Sequence, residues 1–158
     1  MNIQFIKVFP DELNKIDSVF NILQLCGSDM YENQGLTHWK TPYEKERIVH
    51  DCKTKEVYLG VDMEQDAYVH TFQIAFHEKT ANICKLATLP AESGKGIASK
   101  SMRFIEDICK QRNIGRIILD VYEKSLRAIK FYEKNGFVIT SSSPTKYFTV
   151  YNMEKRLS

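Results

Sequence analysis

The chain has little that would mark it as secreted, membrane-spanning, metal-built or repetitive. Its four cysteines, Cys26, Cys52, Cys84 and Cys109, are scattered without a CxxC pair. Neither a disulfide framework nor a zinc-ligand spacing is therefore present, and no metal is expected. No apolar run approaches the roughly 20 residues a membrane helix needs, and no membrane is expected as a partner. The opening residues, MNIQFIKVFPDEL, lack a basic segment followed by a long apolar one. A secretory signal is therefore not expected, and a cytoplasmic setting is. Net charge is only +2, too small to argue for nucleic acid. Linkers, repeats and low-complexity tracts are missing, which leaves residues 1–158 as one expected domain, long enough for a sizeable core. Glycine is scarce at seven residues, so the pair Gly94 and Gly96 stands out.

What the chain does have is alternation of strand and helix patterns, with 43% apolar and 27% charged residues, ordinary for a globular protein. Residues 3–8 alternate as a strand. Pro10-Asp11 opens a helix with Leu13, Ile16, Phe20 and Leu23 on one face and Gly27 as its expected stop. Residues 28–42 read as irregular, and a short helix follows over 43–52. Strands are expected at 56–62, 68–77 and 83–89, then a helix from Ile97, a strand at 117–121, a helix from Ser125, and strands at 138–142 and 147–153. Antiparallel hairpins around one strand–helix–strand crossover predict an α/β (α+β) fold. Its mixed, mostly antiparallel sheet has about seven strands and helices on both faces.

The stretch 85–137 carries the chemistry. The apolar run 83–89 stops at Pro90, and the turn Ser93-Gly94-Lys95-Gly96 leads into a helix with Ala98, Met102, Ile105 and Cys109 on one face. A strand that feeds a helix through glycines gathers unpaired backbone N–H groups at one point. The helix dipole adds positive potential there, so the turn suits phosphate. A P-loop is excluded because Gly-x-x-x-x-Gly-Lys-Ser/Thr is absent, and the dinucleotide fingerprint fails where Ser99 replaces its third glycine. The string Ser93 to Ala98 resembles instead the acetyl-CoA pyrophosphate loop of the GNAT superfamily of N-acetyltransferases, Arg/Gln-x-x-Gly-x-Gly/Ala. Gly96 and Ala98 hold the small positions, and Ser93 stands in place of Arg or Gln. Further on, Ser125, Ala128, Tyr132 and Gly136-Phe137 follow that family's Asn-x-x-Ala-x-x-x-Tyr and Gly-Phe pattern, with Ser125 in place of Asn. The element order is also the family's.

The resemblance implies a GNAT-like fold with acetyl-CoA as co-substrate and direct acetyl transfer to a primary amine of a small molecule or peptide. No covalent enzyme intermediate is expected. A free amine has a pKa near ~10, so only about one molecule in a thousand is free base at pH 7, and a proton acceptor is needed. Tyr132 is the implied general acid for the leaving thiolate; the alternative is a core tyrosine beside Phe131. Asp120, ending an apolar strand, is the candidate base, against a hydrogen-bonded structural carboxylate; Glu92, His70 and His77 are weaker candidates. Backbone at Ala87, Thr88 and Leu89 is the implied pantetheine and oxyanion contact, against an ordinary central strand. Gly94, Lys95, Gly96, Ile97, Ala98, Ser99 and Lys100 form the implied pyrophosphate cradle, with Ser93 and Ser125 beside it. Tyr31, His38, Trp39 and Tyr43 would line the acceptor side, or merely anchor a long loop. A homodimer is compatible with all of this. The rival reading is a non-catalytic acyl-CoA-binding regulatory module, which needs the phosphate loop but no acid, so Tyr132 favours the enzyme.

Overall fold

In the computed structural model, which describes residues 1–36 and 44–157, the period-2 segments form seven strands. These are β1 (Ile3–Val8), β2 (Glu56–Asp62), β3 (Ala67–His77), β4 (Thr80–Thr88), β5 (Arg116–Tyr122), β6 (Val138–Pro144) and β7 (Thr149–Arg156). The helices are α1 (Leu13–Gln34), α2 (Lys45–Thr54), α3 (Ile97–Gln111) and α4 (Leu126–Lys134). All strands join one sheet in the order β1-β2-β3-β4-β5-β7-β6. Every neighbouring pair is antiparallel except β4 and β5, which are parallel and joined through α3. This is the expected mixed, GNAT-like sheet.

Alternation along each strand sorts side chains between two cores. Val57 and Leu59 of β2 pack with Val8, Ile16, Val19 and Ile48, under α1 and α2. Tyr58 turns to the opposite face, where Phe72, Ile117 and Leu119 meet Met102, Ile105 and Cys109 of α3. The helical spacing read from the sequence thus seats the buried stripe of α3. Among the described residues, no helix is long and apolar enough to cross a membrane.

One element differs from expectation. α1 does not stop at Gly27 but continues to Gln34, and Gly35, at φ +67°, caps it. An interior glycine costs a helix about 1 kcal/mol. Burial of Ile16, Val19, Ile22 and Leu23 along the same stripe offsets that cost, and Gly27 is itself buried. Half of the stretch read as irregular is therefore helix.

Two local features open the sheet at its centre. β4 and β5 pair only over Thr80–Asn82 and Arg116–Ile118, then separate. Within β4 the register against β3 shifts between Thr71 and Gln73, and Lys85 sits at φ +53°. That is a bulge, which bends the strand just where it leaves β5.

Candidate active site

Beyond Asn82 and Ile118 the two strands diverge, and a cavity of about 720 Å³ opens between them. Backbone groups that face a missing neighbour strand must find another partner. The N–H of Leu89 is committed to Val69 of β3 (2.9 Å). Strand alternation therefore turns the N–H of Thr88 away from β3, toward the Cys26 thiol of α1. Leu86 and Thr88 line the cavity; Ala87 and Leu89 do not, and Ala87 belongs to the core under α1. The bulge is pinned by Lys85, whose Nζ lies 2.5 Å from Asp51 Oδ2 of α2, with both side chains buried.

At the other end of the cleft stands the first turn of α3. Gly94 and Gly96 each have φ +81°, a conformation L side chains rarely adopt. Among the described residues no side chain caps the helix, and its first turn has no acidic residue. The first in-helix bond is Lys100 N–H to Gly96 O (3.1 Å), which leaves the amides of Ile97, Ala98 and Ser99 as donors without intrahelical partners. All three residues line the cavity together with Ser93, Gly94 and Gly96. Lys95 and Lys100 stand outside it: Lys95 binds Glu92 (2.8 Å) and Lys100 reaches the Met1 carbonyl (3.1 Å). Close by, Ser125 at the N-cap of α4 is buried in the cavity wall, and its hydroxyl has no hydrogen-bond partner among the described residues. An uncapped helix start, open space at both glycines and an orphaned hydroxyl form a donor set that fits a pyrophosphate and its pantetheine arm. Arg127, two residues beyond Ser125, also lines the cavity. Sequence reading passed over it, although its place in the first turn of α4 was a signal.

Tyr132 lies on α4, its ring against Phe131 (5.3 Å) and Phe137 (5.7 Å), and it lines the same cavity. Burial pushes its phenol up to about 12, so it is protonated at neutral pH and holds a proton to give. Asp120 lines the cavity from β5, exposed, with Oδ1 accepting from Asn152 Nδ2 (2.6 Å). Burial pushes all four cysteine thiols up, that of Cys26 to about 11, and removes their nucleophilic form at neutral pH.

The other candidates scatter. His70 is fully buried beside Phe5 and Phe72, with Nδ1 2.8 Å from Thr88 Oγ1. His77 ends β3 in solvent. Glu92 borders the cavity but is tied to Lys95. Tyr31 is exposed on α1 and does not line the cavity. His38, Trp39 and Tyr43 lie outside the described residues. What the sequence reading missed on this side is the C-terminal half of α1, where Cys26, Asp29, Met30 and Gln34 form a wall. That wall exists only because the helix runs through Gly27.

The chain matches the family model "Acetyltransferase (GNAT) family" over residues 17–137. A search of curated proteins returns no match. Among solved structures, Ard1 from Thermoplasma volcanium is similar with a TM-score of 0.79 at 21% identity, covering 100% of this chain and 99% of that one. The ribosomal-protein-S18-alanine N-acetyltransferase from Escherichia coli gives 0.78 at 13% identity, with 99% and 95% coverage. The PaiA N-acetyltransferase from Thermoplasma acidophilum, solved in complex with coenzyme A, gives 0.75 at 19% identity, with 99% and 100% coverage.

Proposed function

The chain belongs to the acetyltransferase (GNAT) family, which uses acetyl-CoA, and we propose that it transfers the acetyl group directly to a primary amine, within a single domain of residues 1–158. The observation that carries this reading is the parting of β4 from β5 after Asn82 and Ile118. It joins an uncapped helix start, a free strand edge and two proton-transfer groups in one cleft.

Bound acetyl-CoA supplies the acyl thioester. The amides of Ile97, Ala98 and Ser99 hold the pyrophosphate, with the hydroxyls of Ser93 and Ser125 beside it. The edge of β4 at Leu86 takes the pantetheine amides and offers its N–H where negative charge develops on the acyl oxygen. Asp120, a carboxylate on β5 at the cavity wall, accepts a proton from the incoming ammonium, and the neutral amine then attacks the thioester carbon. Tyr132 donates to the departing sulfur. Burial raises the phenol to about 12, so Tyr132 keeps its proton until the thiolate departs. The high thiol pKa of Cys26 favours direct transfer over an acyl-cysteine route.

The acceptor amine is sought with a thiol-release assay. The panel spans peptide N-termini, lysine side chains, polyamines and small amines, and it includes an alanine N-terminus and spermidine because solved neighbours carry those names. Amine-dependent thiol release is the expected result. Tight acetyl-CoA binding with no release for any of these classes would overturn the catalytic reading in favour of a regulatory acyl-CoA-binding module.

A further inference from the structure

Asp120 does not stand alone on its sheet face. It pairs in register with Asn152 of β7, and Asn152 pairs with Ser141 of β6, so the three form one row across three strands. Asn152 Nδ2 donates to Asp120 Oδ1 (2.6 Å). Asn152 Oδ1 accepts from Ser141 Oγ (2.7 Å) and from Ser143 Oγ (2.9 Å). The amide can face only one way in this row. A carboxylate accepts and cannot donate, so the NH₂ must point at Asp120, and the carbonyl oxygen must then point at the two hydroxyls.

The row depends on an irregularity in β6. Ile139 opposes Met153, but Ser141 rather than Thr140 opposes Asn152. Thr140 is the extra residue of a bulge. Without it, alternation would put Ser141 opposite Tyr151 and send its hydroxyl to the other face. A bulge that re-aims a side chain beside a reactive group is a recurrent device. Stability alone gives no reason for it, because Ser141 is exposed and hydrogen bonds open to water add little.

We propose that Asn152, held by Ser141 and Ser143, is a positioning residue that fixes the Asp120 carboxylate through Oδ1. Oδ2 has no partner among the described residues and is left to take the amine proton. This rests on the reading of Asp120 as the base. The ammonium N–H bond breaks toward Oδ2, and the freed nitrogen lone pair forms the C–N bond at the thioester carbon. The C–S bond breaks with the thiolate taking the Tyr132 proton, and Asn152 and the serines exchange no proton.

The test uses Asn152→Leu, the double variant Ser141→Ala/Ser143→Ala, and the hydroxyl-keeping double variant Ser141→Thr/Ser143→Thr, each with Asp120→Asn as reference. A first readout needs no acceptor: the ¹⁵N–¹H spectrum of the Asn152 side chain in the free protein. Wild type should show one amide proton shifted downfield by the carboxylate. That shift should vanish in Asp120→Asn, shrink in the alanine pair and persist in the threonine pair. In turnover with an active amine, a loosened base should lower kcat by about 10- to 100-fold in Asn152→Leu, and by less in the alanine pair. Acetyl-CoA affinity and melting temperature should hold, and the threonine pair should turn over normally. Full kcat in Asn152→Leu while Asp120→Asn is inactive overturns the positioning role alone. Full kcat in Asp120→Asn overturns the base assignment beneath it.

Discussion

Burial pushes the Tyr132 phenol up to about 12 and the His70 imidazole down to about 3, so both are neutral at pH 7 for the same physical reason. For Tyr132 the consequence is chemical. Its hydroxyl has no hydrogen-bond partner among the described residues, while its ring is packed on Phe131 and Phe137. Tyr132→Phe should therefore leave the melting temperature and acetyl-CoA affinity almost unchanged, yet lower kcat by about 10² if the phenol serves the leaving sulfur. Near-normal turnover, with chemistry shown to limit the rate, would make Tyr132 a packing residue. For His70 the consequence is thermodynamic. The unfolded imidazole takes up a proton as pH falls through about 6.5, whereas the folded one resists until about 3. Its contribution is thus fully present above pH 6.5 and lost as pH falls, by about 1.4 kcal/mol per unit inside that window. Between pH 7 and pH 5 the wild type should lose about 2 kcal/mol more than His70→Gln, which has nothing to titrate there. Urea titrations at the two pH values measure the difference, and parallel losses in both proteins would contradict it.

At the scale of elements, the start of α3 and the bulge of β4 make opposite demands. Gly96, at φ +81° with open space where a Cβ would sit, is held by backbone conformation and not by crowding. Gly96→Glu should cost the fold only about 1–2 kcal/mol of left-handed strain. It should nevertheless abolish acetyl-CoA binding by calorimetry, because a carboxylate would occupy the anion site. Unchanged affinity would remove the loop from the site. At the bulge sits a buried ion pair, Lys85 with Asp51, whose side chains are 8% and 3% exposed. Asp51→Asn removes the buried carboxylate opposite Lys85 and should destabilise by about 3–5 kcal/mol, while Asp51→Leu with Lys85→Met should recover much of that. Equal losses in both, read by urea unfolding, would mean that the pair is not what holds the bulge. These two elements also differ in how far the sequence discloses them. The α3 turn is written in consecutive residues, and Tyr132 follows Ser125 at a spacing one helix explains. The bulge is not legible, because an extra residue in a period-2 pattern looks like ordinary variation and Asp51 lies 34 positions from Lys85. Asn152 is hidden for the same reason, being 32 positions from Asp120.

Over the whole molecule, the chain order of strands and helices and the single strand–helix–strand crossover were legible because each follows from a local period and a short connection. The place of β7 between β5 and β6 leaves no local mark. Nor was the long α1 legible, since the sequence marks Gly27 as a stop and only tertiary burial overrides it. The consequence lies in the cleft. β4 and the C-terminal half of α1 make one wall, and β5, α4 and Val150 of β7 make the other, with the first turn of α3 at one end. Three residue pairs of β4 and β5 are all that bridge them within the sheet, the rest being core packing under α3. A ligand that touches both walls binds the folded chain only, so it adds stability by mass action. At 100 times its Kd, acetyl-CoA should add about 2.7 kcal/mol, or about 5–10 °C in melting temperature for a chain of this size. The gain should be spatially uneven. Hydrogen exchange should slow at the separated edges, from Leu86 to Thr88 on β4 and from Leu119 to Tyr122 on β5, and at the amides of Ile97, Ala98 and Ser99. The pairing of β1 with β2, remote from the cleft, should exchange at its free-protein rate if local opening governs it. A melting shift accompanied by slower exchange at β1 and β2 alone would place the ligand elsewhere. A shift without slowing at α3 would leave the strand edges as the binding surface and take the phosphate role from the glycine turn.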